Sequence, residues 1–123
     1  MHIATNPERY LGRVVGNGSC ALFVQRVSRV GLTKTWRRGQ RVRGNNVPQH
    51  TIIATFINTP QGWRYANRSN GTAHAAVFIR QEPGGLRVFD QWRGQPVHQR
   101  TIQFRNGQGR PVNDGDAYHV ILT

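Results

Sequence analysis

Two apolar runs separated by a turn constrain this chain more than any other stretch. His74-Ala75-Ala76-Val77-Phe78-Ile79 is rich in strand formers, Arg80-Gln81-Glu82-Pro83-Gly84-Gly85 has the composition of a turn, and Leu86-Arg87-Val88-Phe89-Asp90-Gln91-Trp92 returns from it. Together they predict an antiparallel hairpin with His74 and Asp90 near its open end. A loop with an odd number of residues, for example Gln81 to Gly85, sets Ala76 opposite Asp90 and His74 opposite Trp92. His74 and Asp90 are then diagonal neighbours on one face, roughly 7–8 Å apart at the backbone, close enough for a carboxylate to meet an imidazole. An even loop would put them on opposite faces. Asp90 is one of only five acidic residues and stands in a hydrophobic strand, where a carboxylate is costly without a partner. The nearest protonatable partner is His74.

The other chemically loaded stretch is Gly16-Asn17-Gly18-Ser19-Cys20, which runs into the apolar Ala21-Leu22-Phe23-Val24. Cys20 is the only cysteine, so it cannot form an intramolecular disulfide, and it has no Cys-x-x-Cys or Cys/His metal pattern around it. It is either a small core residue or a nucleophile. Cys20, Phe23, Val24 and Val27 have helical period, and Asn17 or Ser19 is placed to cap a helix running from about Ser19 to Val30, with Arg26 and Arg29 outward and Gly31 at its end. In the first turn, unpaired backbone N–H groups and the positive end of the helix dipole favour a thiolate. A base for it must come from elsewhere in the chain. Of the five histidines His74 stands apart, because it opens the hairpin; His98 is a rival, but it follows Pro96 in what reads as a loop.

The remaining chain predicts a short lead-in over Tyr10 to Val15, a long basic loop from Thr33 to Pro48, and a buried strand over Thr51 to Ile57. A polar loop then runs from Arg64 to Thr72, with strands over Arg100 to Arg105 and Ala117 to Leu122. With 123 residues this is one domain, residues 1–123, of α+β class: an N-terminal helix followed by four to six mainly antiparallel strands. No apolar run reaches the roughly 20 residues needed to span a bilayer. The N-terminal residues lack the charged and apolar segments of a secretory signal. Seventeen basic against five acidic residues give a net charge of +12, carried by arginine except at Lys34. Such a charge speaks to partners rather than to fold. The cluster Trp36, Arg37, Arg38, Arg41 and Arg43 interleaves an aromatic with cations, as a nucleic-acid surface would.

At Gly18-Ser19-Cys20-Ala21-Leu22, Trp36-Arg37-Arg38-Gly39, Ile53-Ala54-Thr55-Phe56, Gly62-Trp63-Arg64-Tyr65, His74-Ala75-Ala76-Val77-Phe78 and Val88-Phe89-Asp90-Gln91-Trp92, the chain resembles the papain-like NlpC-type amidases. The likeness is greatest to the small single-domain type VI secretion amidase effectors. That resemblance implies a papain-like fold with the cysteine helix packed on the sheet, and a cysteine amidase or endopeptidase acting on peptidoglycan stem peptides. Cys20 would be the nucleophile, His74 the base and Asp90 the orienting acid, although the family's third residue varies among His, Asn and Asp. The Cys20 backbone N–H and Tyr10 are the expected oxyanion donors, and Trp36, Arg37, Arg38 and Trp92 the expected substrate- or anion-binding residues. Neither a metal nor any other cofactor is expected. The protein would act as a monomer, made in the cytoplasm without a cleaved leader and working in the periplasm or wall of a target cell, with a cognate immunity protein as its partner. Two other classes stand beside this one: a papain-like thiol hydrolase on another peptide or acyl substrate, and a basic nucleic-acid-binding module without catalysis.

Overall fold

A computed structural model describes residues 1–123. One α-helix, α1 (Cys20–Val27), packs on a six-stranded antiparallel sheet whose strands are β1 (Arg37–Arg41), β2 (Ile52–Thr55), β5 (Ala75–Glu82), β6 (Gly85–Trp92), β7 (Gln95–Gln103) and β8 (Tyr118–Leu122). Their order across the sheet is β1-β8-β2-β5-β6-β7, and a separate small hairpin is formed by β3 (Ile57–Thr59) and β4 (Gly62–Arg64). The expected α+β architecture is the one observed.

Alternation along the strands gives the sheet two apolar faces. Phe23, Val24 and Val27 of α1 meet Ile52, Ala54, Ala75, Val77, Ile79 and Phe89 on one face. Ile53, Ala76, Phe78, Leu86, Val88, Ile102, Tyr118 and Val120 form the core of the other, closed by Val42 and Val47. A sheet covered on both sides holds its central strands in a dry layer, and a polar side chain on β5 or β6 must find partners there.

Three local expectations are corrected. First, α1 ends at Val27 rather than Val30, because the Ser28 hydroxyl donates to the Val24 carbonyl at 2.6 Å and the backbone turns extended at Ser28, which carries Val30 into the core instead. Second, the basic segment from Thr33 to Pro48 is not loop throughout, although it is irregular after Arg41. Arg37–Arg41 is an edge strand paired with β8, which supplies the partner that local composition could not reveal. Third, His98 lies within β7, because the chain reverses over only Arg93-Gly94 and the strand begins at Gln95.

The hairpin of β5 and β6 departs from expectation in a way that preserves its consequence. The turn is the two-residue Pro83-Gly84, since Glu82 pairs with Gly85, and an even loop alone would split His74 and Asp90 between faces. The register steps by one residue at Ile79: Arg80 pairs with Arg87, but Phe78 pairs with Val88 and Val77 with Phe89. A bulge of this kind puts one extra residue on one strand and reverses the facing of everything beyond it. Ala76 therefore comes opposite Asp90, and the open end of the hairpin recovers the shared face.

Candidate active site

Cys20 begins α1. Ser19, extended at φ −73° and ψ 147°, caps the helix by accepting from the Leu22 N–H at 3.3 Å, and Asn17 accepts from the Ser19 N–H at 3.0 Å. The loop is pinned from outside by Gln91, a fully buried side chain at a second register step between Asp90 and Trp92. Gln91 accepts from the Val15 N–H at 2.9 Å and donates to the Val15 and Ser19 carbonyls, each at 2.8 Å. The backbone of the loop is thus tied to β6, the strand that carries Asp90. Nothing in the sequence distinguished Gln91 from the other glutamines.

His74 lies just ahead of β5, with its backbone N–H donating to Thr55 Oγ1 at 3.0 Å, and its side chain packs edge-on against Tyr118 and Trp92. Its Nε2 meets Asp90 Oδ2 at 2.7 Å, leaving Nδ1 as the ring nitrogen that can serve the thiol. Asp90 is 0% exposed. Its Oδ2 also accepts from Arg100 Nε at 2.8 Å, and His98 Nε2 lies 2.9 Å from its Oδ1 without hydrogen-bond geometry. Both neighbours follow from the register, because Asp90 pairs directly with His98 on β7 and Arg100 is two residues further along the same face. Trp92 covers the group: its ring is 5.2 Å from that of His98, and the Arg100 guanidinium is 5.0 Å from its centroid.

These neighbours set the ionisation. Burial alone pushes the Cys20 thiol up, but the His74 imidazole, the Tyr65 hydroxyl and the Ala75 backbone N–H outweigh it and bring it down to about 7. Burial would lower His74, but hydrogen bonding to Asp90 and the adjacent Cys20 carry it up to about 9. Burial also opposes the Asp90 charge, yet its contacts with His74 and Arg100 hold the carboxyl below its ordinary range. The order of acidities is inverted from that of free Cys and His. Between roughly pH 7 and 9 the favoured state is a thiolate beside an imidazolium.

The structure therefore brings Cys20, His74 and Asp90 together, and His98 onto the same carboxylate. Tyr10 is not beside them: it packs edge-on against Phe23, with ring centroids 6.4 Å apart. The tyrosine at the thiol is Tyr65, whose hydroxyl is 3.5 Å from Cys20 Sγ and whose ionisation is strongly opposed by burial and by Cys20, so it remains a neutral donor. It follows β4 in sequence, and only the fold of the following loop carries it back to Cys20.

Trp36 is 0% exposed and packs against Tyr65 with the rings tilted by 58° and their centroids 4.6 Å apart, so it supports the site from within the core and offers no binding surface. Arg37 and Arg38 sit on the edge strand away from the cleft, Arg38 lying 3.8 Å from the centre of the Trp63 ring. Arg41 and Arg43 both pair with Asp116, and Arg43 also covers Phe104. With its tryptophan buried, this segment lacks the stacking platform of a strand-binding surface. Trp92, by contrast, does line the cleft.

That cleft has a volume of about 690 Å³ and opens over Cys20, Tyr65, His74 and Trp92, with the 67–73 loop and Arg110 to Asn113 as its far wall. The histidine, cysteine and carboxylate side chains gathered here form no group that could hold a metal ion. The arrangement can hold a carbonyl carbon before a thiolate, with a proton donor on one side and the helix N-terminus on the other.

Comparison with known proteins points the same way. The family described as domesticated amidase effector 2 matches residues 1–121. The type VI secretion amidase effector 2 protein of Salmonella typhi is 34% identical, with 87% of each chain covered. Domesticated amidase effector 2 of Ixodes scapularis is 37% identical over 72% of this chain and 58% of its own length. The solved structure of a type 6 secretion amidase effector 2 superposes with a TM-score of 0.80 at 34% identity, covering 97% of this chain and 92% of that one.

Proposed function

The chain belongs to the domesticated amidase effector 2 family, whose members hydrolyse amide bonds, and from that premise we propose that it is a cysteine amidase acting on the stem peptides of peptidoglycan. The observation that carries the reading is geometric: Cys20 at the start of α1 and His74, held by Asp90 at 2.7 Å, line one cleft, and these neighbours favour the ionised pair. A core cysteine would be pushed up by burial and stay a thiol. This one is pulled down.

In the proposed reaction the Cys20 thiolate attacks the amide carbonyl carbon. The negative charge that develops on the oxygen is met by the Cys20 backbone N–H, which lies outside the helix's own ladder, and by the positive end of α1. His74 Nδ1 passes its proton to the nitrogen of the breaking C–N bond, and the amine leaves. The same imidazole then takes a proton from water, whose oxygen attacks the thioester and releases a carboxylic acid and the free thiolate. Asp90 holds the ring through Nε2 in both steps. Tyr65 donates toward the sulfur and so stabilises the thiolate. Residues 1–123 act here as one catalytic unit.

No helix is long and apolar enough to cross a membrane. The kinship with secreted effectors supports delivery to the wall of a neighbouring cell, and an effector of this type calls for an immunity partner in the cell that makes it. The test is incubation of purified sacculi with wild type, Cys20→Ala and His74→Ala, followed by mass analysis of the soluble products. Wild type should release cleaved stem peptides and both variants should not, with unchanged circular dichroism. Release by Cys20→Ala at the wild-type rate would overturn the reading.

A further inference from the structure

The chain has five acidic residues, and four of them are committed to partners within the protein. Asp90 is enclosed by His74, His98 and Arg100. Asp114 accepts from the Arg105, Gly107 and Asp116 backbone N–H groups, at 2.8, 2.7 and 2.9 Å. Asp116 holds Arg41 and Arg43, and Glu82 holds Arg80 and Thr101. None of the five lines the cleft.

Arginines do. Arg100 is tied to Asp90, but Arg68, Arg93 and Arg110 form no ion pair and no side-chain hydrogen bond, and they reach the cleft from three separate segments. Arg110 lies across Gly71, where φ is +86° and an added Cβ would come within 2.5 Å of the Arg110 Cδ, so the loop has no side chain where that stem crosses it. Arg93 lies over Gly18, whose Cβ position is 3.7 Å from the Arg93 Cα, and so stands beside the loop that delivers Cys20. Arg110 continues into a polar hollow shared with Arg105. Like charges converging without counterions destabilise the free protein and are relieved when an anion enters.

We propose that Arg68, Arg93 and Arg110 form a carboxylate subsite, and that the enzyme selects amides flanked by free carboxylates over the same peptides carrying carboxamides. The guanidinium fork suits a carboxylate in the bidentate geometry, and a neutral amide offers it one weaker acceptor oxygen. The inference rests on the amidase reading for its substrate, but it concerns binding and can be measured apart from catalysis.

The experiment is isothermal titration of full-length Cys20→Ala with two probes: a peptidoglycan stem peptide with every carboxylate free, and the same peptide with its side carboxylates amidated. The free-acid peptide should bind about tenfold or more tightly than the amidated one, as expected for charge-assisted pairs in a cleft. Adding Arg68→Gln, Arg93→Gln or Arg110→Gln should each narrow that gap by about threefold or more, and Arg→Lys at the same positions should restore part of it. Circular dichroism confirms that each variant is folded. Equal binding of the two peptides, or a gap that the three glutamine substitutions leave intact, overturns the subsite even if wild type cuts both peptides through Cys20. Arginine-dependent preference in a protein whose Cys20→Ala form still hydrolyses the amide upholds the subsite and refutes the nucleophile.

Discussion

Two imidazoles face one carboxylate from opposite strands, and they are not equivalent. His74 and His98 both present Nε2 to Asp90, at 2.7 and 2.9 Å. His74 is hydrogen-bonded, 5% exposed and adjacent to the thiol, and its pKa is carried up to about 9. His98 is half-buried, lies at a contact without hydrogen-bond geometry and does not line the cleft that Cys20 and His74 share. Nearness to an acid does not make a histidine a base. What matters is the partner on the other ring nitrogen and the exclusion of water that strengthens both contacts.

The strongest way to break this comparison is to remove each ring in turn. His74→Ala should lower kcat/KM for amide hydrolysis by about 10³-fold or more, as loss of a catalytic base does, whereas His98→Ala should lower it by less than about tenfold. Losses of equal size would mean that the two histidines share one role.

Asp90→Asn tests the element common to both. It removes the charge that supports the His74 imidazolium, so activity should fall by about 10²-fold or more and the basic limb of the pH profile should move to lower pH. An unmoved basic limb would show that Asp90 serves only as packing.

The wild-type profile sharpens the assignment further. Since the thiol is brought down to about 7 and the imidazole up to about 9, kcat/KM should rise as pH passes 7, where the thiolate forms, and fall as it passes 9, where the imidazolium loses its proton. Cys20 alkylation by iodoacetamide should follow the same rising limb, and His74→Ala should shift that limb upward. Alkylation in the His74→Ala variant with an unchanged profile would assign the lowered thiol pKa to the helix rather than to the ring.

The smallest expected effect is at the anchor. Arg100→Gln takes a charge-assisted hydrogen bond from Asp90 Oδ2 and should lower stability by about 1.5–3 kcal/mol in urea unfolding, with an activity loss well below that of Asp90→Asn. A larger activity loss than Asp90→Asn would mean that Arg100 reaches the substrate directly.

Much of this site was legible in the linear chain because its residue types are conspicuous where they stand. A lone cysteine after a glycine turn, a histidine at the mouth of a strand and an acid in an apolar run each violate a local rule, and their convergence explains all three. The dense basic run at Arg37 to Arg43 was conspicuous too, and misled: it is an edge strand whose cations find Asp116, Trp63 and Phe104, while the unpaired arginines of the cleft are dispersed at positions 68, 93 and 110. Density along a chain is not density in space.

By itself the sequence determined the α+β class, the helix start at Cys20 and the hairpin that carries Asp90, because capping, periodicity and turn composition are local properties. Tertiary structure alone decided that Ile79 bulges and so restores His74 and Asp90 to one face, that Tyr65 rather than Tyr10 meets the thiol, and that Gln91 locks the cysteine loop to β6. Each of these depends on which strand lies beside which and at what offset. No stretch of residues carries that information until the sheet has closed.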